Sequence, residues 1–181
     1  MGLFTSKITK AKKQTLENSC KLLLHRGPDD SGMYENEKVL FLHKRLSIID
    51  LRGGKQPIEN DNFVLISNGE IYNDIEIRKK NLNYNYKTGS DCESILAVYS
   101  KYGINGFKRL RGMYAFAIYD KKKKKVILGR DPFGIKPIYY SYNNKELIFS
   151  SEIKPILKAR DLQIKLKKKK IIELLQLQYT C

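Results

Sequence analysis

Cysteine is scarce in this chain, and where it occurs it is poorly placed for metal or disulfide chemistry. Cys20, Cys92 and Cys181 are the only three, and no two stand as C-x-x-C. An odd count at scattered spacing argues against a disulfide framework and gives no zinc-type ligand set. No apolar run approaches the roughly 20 residues of a membrane-spanning helix. The N-terminus has no charged-then-apolar leader, so nothing in it directs the chain to an oxidising compartment, and a cytoplasmic location is expected. Acidic residues are also short: Asp and Glu number 19 against 35 Lys and Arg, a formal net charge of +16. Such a surplus suits a polyanion or an anionic membrane surface. Here it accompanies abundant asparagine, isoleucine and tyrosine, the usage of an AT-rich coding sequence. Much of it sits in two lysine runs, 121–125 and 167–170. Charge runs are ordinarily solvated turns or faces, and no nucleic-acid motif accompanies these. Neither nucleic acid nor a membrane is an expected partner.

What is present is enough for a core. The chain has 181 residues, 41% of them hydrophobic, and needs neither metal nor disulfide to fold. Residues 7–24 read as an amphipathic helix, with Ile8, Ala11, Leu16, Cys20 and Leu23 near one face and the breaker pair Gly27-Pro28 beyond its end. Strand-length runs rich in β-branched and aromatic residues follow at 39–42, 63–66, 113–119, 126–128 and 147–149. Two pairs read as hairpins: 113–119 with 126–128 across the lysine turn, and 138–142 with 147–149 across Asn143-Asn144. Hairpins imply antiparallel pairing, which normally leaves one wet face, yet the run at 113–119 is apolar on both. Two sheets packed face to face with helices outside satisfy both observations. Ser90 and Glu93 have capping-box spacing at the start of a helix over 91–102. Ile95, Leu96, Val98 and Tyr99 supply its packing face, and Gly103 suits its end. A shorter helical stretch is expected over 104–110, and a basic helical region after Ser151.

Four segments are more specific than composition: His25-Arg26-Gly27-Pro28-Asp29-Asp30, Arg45-Leu46-Ser47-Ile48-Ile49-Asp50, Asn68-Gly69-Glu70-Ile71-Tyr72-Asn73 and Gly89-Ser90-Asp91-Cys92-Glu93. A fifth runs from Gly129 through Arg130-Asp131-Pro132-Phe133-Gly134 to Pro137. In this order and spacing they resemble the glutaminase domain of glutamine-hydrolysing asparagine synthetases, a class II glutamine amidotransferase of the N-terminal-nucleophile hydrolase superfamily. The resemblance runs from about residue 20 to the C-terminus. It implies an α+β fold, a four-layer α/β/β/α sandwich of two mainly antiparallel sheets. It places an amidotransferase domain over 1–160, and over 161–181 a linker and the start of a synthetase domain.

The implied activity is hydrolysis of the glutamine side-chain amide to glutamate and ammonia, the ammonia passing to an acceptor, aspartate in the family. L-glutamine offers an α-carboxylate, an α-ammonium and an amide. A carboxylate suits a planar bidentate cation, and the resemblance assigns Arg45 to it. It assigns Glu70 and Asp91 to the ammonium and adds Ile48 to the substrate-binding set. An Asp in a helix's first turn also simply offsets the helix dipole. Amide hydrolysis builds an oxyanion that needs preorganised donors; the resemblance supplies the Asn68 side chain and the Gly69 N–H. An ordinary Asn-Gly turn is the alternative there. His25 and His43 have no ligand-spaced partners and read as structural.

Two departures qualify the resemblance. The family's nucleophile is a cysteine exposed behind the initiator methionine, with its own α-amine as base; the usual opening is Met-Cys-Gly-Ile. Here the chain opens Met1-Gly2-Leu3-Phe4. Cys20 and Cys92 are internal, and Thr5 or Ser6 would need processing to serve. The interval to His25 is also a few residues short, so the first strand with its cysteine is expected to be absent. Second, no Ser-Gly-Gly-type pyrophosphate loop occurs. ATP and magnesium belong to the missing synthetase domain, and no cofactor is expected in this chain. A non-catalytic glutamine-binding remnant is one alternative. Another is an N-myristoylated basic membrane-surface protein, since the first six residues fit M-G-x-x-x-[ST].

Overall fold

The computed structural model describes residues 1–46, 54–80, 82–143, 145–163 and 167–177. Among these residues, nine strands form two sheets. The first contains β1 (Gly2–Thr5), β2 (Asp30–Glu35), β3 (Val39–Arg45), β8 (Tyr139–Tyr142) and β9 (Glu146–Ser150), in the order β2-β3-β1-β9-β8. The second contains β4 (Ile58–Glu59), β5 (Phe63–Ile71), β6 (Gly112–Asp120) and β7 (Lys125–Arg130), in that order. Every pairing is antiparallel, and both expected hairpins form, as β6–β7 and β8–β9. Asn144, in the second hairpin's turn, lies outside the described residues, as does Cys181.

Three apolar layers explain why the strand runs do not alternate. Between the sheets lie Val39, Phe41 and Phe149 from one side and Val64, Ile66, Ala117 and Tyr119 from the other. Outside the first sheet, Leu3, Leu40, Leu42 and Ile148 meet Leu16, Cys20 and Leu23, which belong to α1 (Lys10–Cys20) and the 3-10 turn after it, and Ile156 of α4 (Ile153–Ala159). Outside the second sheet, Leu65, Tyr114, Phe116 and Ile118 meet Ile77 of α2 (Asp74–Lys79) and Ile95, Leu96, Val98 and Tyr99 of α3 (Ser94–Tyr102). Helix, sheet, sheet and helix therefore stack in four layers, and the inner strands β3, β5 and β6 bury residues on both faces. A fifth helix, α5 (Lys168–Leu177), carries exposed Ile171, Ile172, Leu174 and Leu175.

The expected absence of a first strand is corrected by β1. Gly2–Thr5 is the central strand of its sheet, with Gly2 opposite Phe41 on β3 and opposite Phe149 on β9. Four residues were too short a run to stand out, yet Leu3 is 2% exposed and occupies the core. The same burial counts against the acylated-terminus alternative: a Cβ on Gly2 would meet the Phe149 ring at 2.4 Å, so Gly2 is enclosed rather than presented to solvent.

Helix bounds differ where local hydrogen bonds decide them. The first helix starts at Lys10 because the Thr9 hydroxyl accepts the Lys12 N–H (3.3 Å), and it passes into a 3-10 turn, Lys21–Arg26. The capping box at Ser90 does not form: Ser90 makes no side-chain cap, and Asp91–Glu93 is a 3-10 turn preceding α3. Gly103, at φ 61°, ends α3, and Gly103–Arg109 continues as 3-10 helix. Lysines 121–124 make the β6–β7 turn, as a solvated run should.

Candidate active site

One cavity of about 330 Å³ opens at an end of the inter-sheet space, within the size range of small-molecule sites. Arg45, Asn68, Gly69, Glu70 and Asp91 all line it, although they come from three separated segments of the chain. Ile48 lies outside the described residues.

Asn68-Gly69 is not a turn. Both sit inside β5, paired with Ala115 and Tyr114 of β6. Gly69 adopts φ 146°, and a Cβ there would lie 2.0 Å from the Met113 carbonyl oxygen. Only glycine admits this backbone, which peels the strand toward the cavity. The preceding residue is braced from both sides. Gln56 Oε1 accepts the Ser67 N–H (2.6 Å), and Gln56 Nε2 donates to the Ser67 hydroxyl (3.2 Å). His43 Nε2, reaching over from the other sheet, donates to the Ser67 carbonyl (3.0 Å). His43 thus has the structural role expected of it. Burial, with the N-terminal amine and Arg45 adding to it, pushes its pKa down to about 4, so it is neutral near pH 7. His25 is exposed and meets Glu152 Oε1 at 2.9 Å.

Arg45 ends β3 and is 7% exposed, a depth that a guanidinium occupies only with partners around it. Asp91 is 8% exposed. Its Oδ2 accepts the Ile71 N–H at 2.5 Å, which ties it to β5 one residue beyond Glu70. Burial raises the Asp91 carboxyl above the usual carboxylate range, while backbone N–H groups oppose the shift. A carboxylate whose burial outweighs its backbone donors is poised to gain from a cationic ligand.

Among the described residues, no thiol in the wall is ready to attack. Cys92 lines the cavity, but burial, with the Asp91 charge adding to it, pushes its thiol up to about 12. Its Sγ–H points to the Gly69 carbonyl (3.7 Å). Cys20 belongs to the outer α1 layer, and burial raises it too. Thr5 is buried against Glu146, Ser6 is exposed, and neither lines the cavity. Met1 does line it. Its amine donates to the Leu42 carbonyl (2.7 Å), and burial pushes that amine below its ordinary pKa.

Sequence reasoning named no role for Gln56 or for residues 136–138, which also line the cavity. Lys136 and Pro137 fall in the fifth motif, whose role is now visible. Asp131 accepts the N–H groups of Tyr114 (3.3 Å), Phe133 (3.1 Å), Ile135 (2.9 Å) and Lys136 (3.0 Å), winding the loop around one buried carboxylate. Among the described residues, no group of three or more His, Cys, Asp or Glu side chains could hold a metal ion. No helix among them is long and apolar enough to cross a membrane.

Helix, sheet, sheet and helix, with this cavity at the mouth of the sheets, make one scaffold. The model of the glutamine amidotransferase domain family matches residues 1–181, and the chain belongs to that family. It is 40% identical to asparagine synthetase [glutamine-hydrolyzing] 1 of Bacillus subtilis strain 168 over 161 residues, covering 86% of this chain and 26% of that protein. It is 43% identical to asparagine synthetase B [glutamine-hydrolyzing] of Escherichia coli K12 over 150 residues, 81% of this chain and 27% of that one. The chain thus spans about a quarter of the length of these relatives. Among solved structures, the glutamine phosphoribosylpyrophosphate amidotransferase from B. subtilis superposes with a TM-score of 0.66 at 19% identity, covering 89% of this chain and 42% of its own. That likeness concerns the fold.

Proposed function

We propose that this domain binds L-glutamine in the cavity and serves the hydrolysis of its side-chain amide. The observation that carries the reading is that Arg45, Asn68, Gly69, Glu70 and Asp91 line one cavity. The Arg45 guanidinium takes the α-carboxylate in a bidentate pair. Asp91 and Glu70 take the α-ammonium, and Ile48 is expected to add to the same set. The Asn68 side-chain amide and the Gly69 N–H stabilise the oxyanion as the amide carbon becomes tetrahedral. On the resemblance of the motifs, residues 161–181 lead toward an ATP- and magnesium-using synthetase domain or subunit, and the ammonia passes to aspartate. The site is expected to work in the cytoplasm.

The attacking group is the step these residues do not supply. With Cys92 held as a thiol and Gly2 following Met1, residues 1–181 favour glutamine binding without turnover. The register supports a nucleophile supplied from ahead of Met1. Leu3 pairs with Leu40 and Gly2 with Phe41, so residues added ahead of Met1 run alongside His43, Lys44 and Arg45 into the cavity. The test compares ammonia or glutamate release from glutamine by residues 1–181 and by the same chain with β1 prolonged upstream by a processed Met-Cys-Gly-Ile-type segment. The unextended chain is expected to show no measurable turnover and the extended one to gain it. Robust turnover by the unextended chain would mean that the nucleophile has been misplaced.

A further inference from the structure

Asp91 follows a short turn, 88–90, with glycine at its centre, and a glycine turn does not hold a carboxylate in one place by itself. The turn is instead gripped from behind by a side chain outside the cavity wall. Arg78, in α2, points its Nε at both oxygens of Asp74 (2.9 Å each). Its Nη1 donates to the Thr88 carbonyl (3.3 Å) and its Nη2 to the Ser90 carbonyl (2.8 Å). The guanidinium carbon lies 4.0 Å from the centre of the Tyr86 ring. One planar cation thus holds the carbonyls on both sides of Gly89, the second belonging to the residue next to Asp91. Only a rigid fork of donors does this; a lysine ammonium on a flexible stem does not hold the same set.

The grip is anchored on the strand that carries the oxyanion donors. The chain runs from β5 directly into α2, and Asn73 between them is fixed by donating to the Arg109 carbonyl (2.9 Å) and accepting the Arg111 N–H (2.9 Å). Asp74 is held in turn by the Ser94 hydroxyl of α3 (2.5 Å). We propose that Arg78 is a positioning residue for the α-ammonium side of the site: it holds the 88–90 turn so that Asp91 faces the cavity in register with Asn68 and Gly69.

This rests on the reading of Asp91 as a ligand of the α-ammonium, and the test separates the two. Binding of L-glutamine and of glutaramate, which lacks the α-amine, is measured by calorimetry on residues 1–181 and on variants, with thermal unfolding alongside. The wild-type chain is expected to prefer glutamine, and Asp91→Asn to erase that preference. If the wild type shows no preference, or Asp91→Asn keeps it, the reading of the site fails and the inference with it. With that reading intact, folded Arg78→Gln is expected to lose about ten-fold or more of the preference, with glutaramate affinity little changed. An unchanged preference, or equal weakening of both ligands, overturns the positioning role alone. Should Arg78→Gln fail to fold, Arg78→Lys decides. It keeps a cation beside Asp74 but cannot hold both carbonyls, and is expected to lose about three-fold or more. A wild-type preference in that variant overturns the proposal.

Discussion

Two loops of this domain are built in the same way and end up doing different things. Each winds its backbone around one buried carboxylate. Residues 84–88 wrap Glu93, which is fully buried and accepts the Lys87 N–H (2.9 Å), the Thr88 N–H (2.7 Å), the Thr88 hydroxyl (2.7 Å) and the Tyr84 hydroxyl (3.2 Å). Residues 132–136 wrap Asp131 through three backbone donors, with Tyr114 of β6 supplying a fourth. The first loop delivers Asp91 to the cavity and is gripped a second time by Arg78. The second contributes Lys136 and Pro137 to the cavity rim and lifts Phe133 88% clear into solvent. A carboxylate hub is therefore a general way to freeze a loop that has little apolar side chain to bury. What sits beside the hub decides whether the frozen loop belongs to the site.

Removing the hubs has the largest expected effect and separates the loops most clearly. Glu93→Ala strands four donors in the interior and should cost about 3–5 kcal/mol. Asp131→Ala strands donors partly reachable by water and should cost about 2–4 kcal/mol. Urea unfolding checks both. Glutamine affinity of whatever remains folded should collapse in Glu93→Ala and survive, weakened a few-fold at most, in Asp131→Ala. Equal loss of affinity in both would mean that the second loop is as much a part of the site as the first.

Acid separates the regions in sequence. His43, beside the cavity, is held near 4 by burial, with the Met1 amine and Arg45 adding to it, while an unfolded histidine titrates near 6.5. Between these values the unfolded chain binds a proton that the folded one refuses, so stability falls as pH drops from about 6.5 to about 4, by at most roughly 3 kcal/mol. Asp131 behaves in the opposite range. Burial works to raise its carboxyl, but the N–H groups of Lys136, Ile135, Tyr114 and Phe133 outweigh it and hold it below the usual carboxylate range. Its contribution is complete above an unfolded pKa of about 3.9 and is lost only as pH falls below that. Urea midpoints at pH 7, 5 and 4 should decline in the wild type. They should decline far less in His43→Gln, which keeps a donor for the Ser67 carbonyl. The same slope in both chains would assign the acid sensitivity to another group.

A finer cut tests the first hub one hydrogen bond at a time. The Thr88 hydroxyl donates to Glu93 (2.7 Å) and accepts the Ser90 N–H (3.2 Å), linking the hub to the residue before Asp91. Thr88→Val keeps the shape and removes both bonds. We expect about 1–2 kcal/mol of lost stability by urea unfolding and a several-fold weaker glutamine affinity by calorimetry. Lost stability with full affinity would show that Arg78 alone suffices to place the turn.

How much of this was legible in the sequence follows from range. Strands whose apolar runs are long, such as β5 and β6, could be read directly, and so could both hairpins, because their pairing is local. Apolar residues on both faces of β6 pointed correctly to a sheet covered on each side. The residues proposed for the site were named through the motifs, and those that fall within the described part of the chain line one cavity. β1 was not legible: four residues carry too little periodicity, and their strand character comes from two neighbouring strands 35 or more residues away. The capping box at Ser90 failed for a related reason. Glu93 has the right spacing to reach back to Ser90, but four donors from residues 84–88 compete for it and win. Nothing in the spacing of Asp131 within its motif announces a hub, since its partners include a backbone N–H 17 residues earlier.

The smallest expected effect concerns Phe133. An exposed phenylalanine at a loop tip invites the idea that the aromatic ring itself organises the loop. The bonding pattern argues otherwise. The loop's order is carried by Asp131 and by Arg130, whose Nε donates to the Lys136 carbonyl (2.8 Å) and whose Nη2 donates to the Gly134 carbonyl (2.5 Å). With 88% of the Phe133 surface already in water, its removal forfeits almost no burial. Phe133→Ser should therefore shift the urea-derived stability by less than about 0.5 kcal/mol and leave the amide-exchange protection of Ile135 and Lys136 as it is in the wild type. A loss of that protection would place the ring, rather than the carboxylate, at the centre of the second loop, and the parallel between the two hubs would break there.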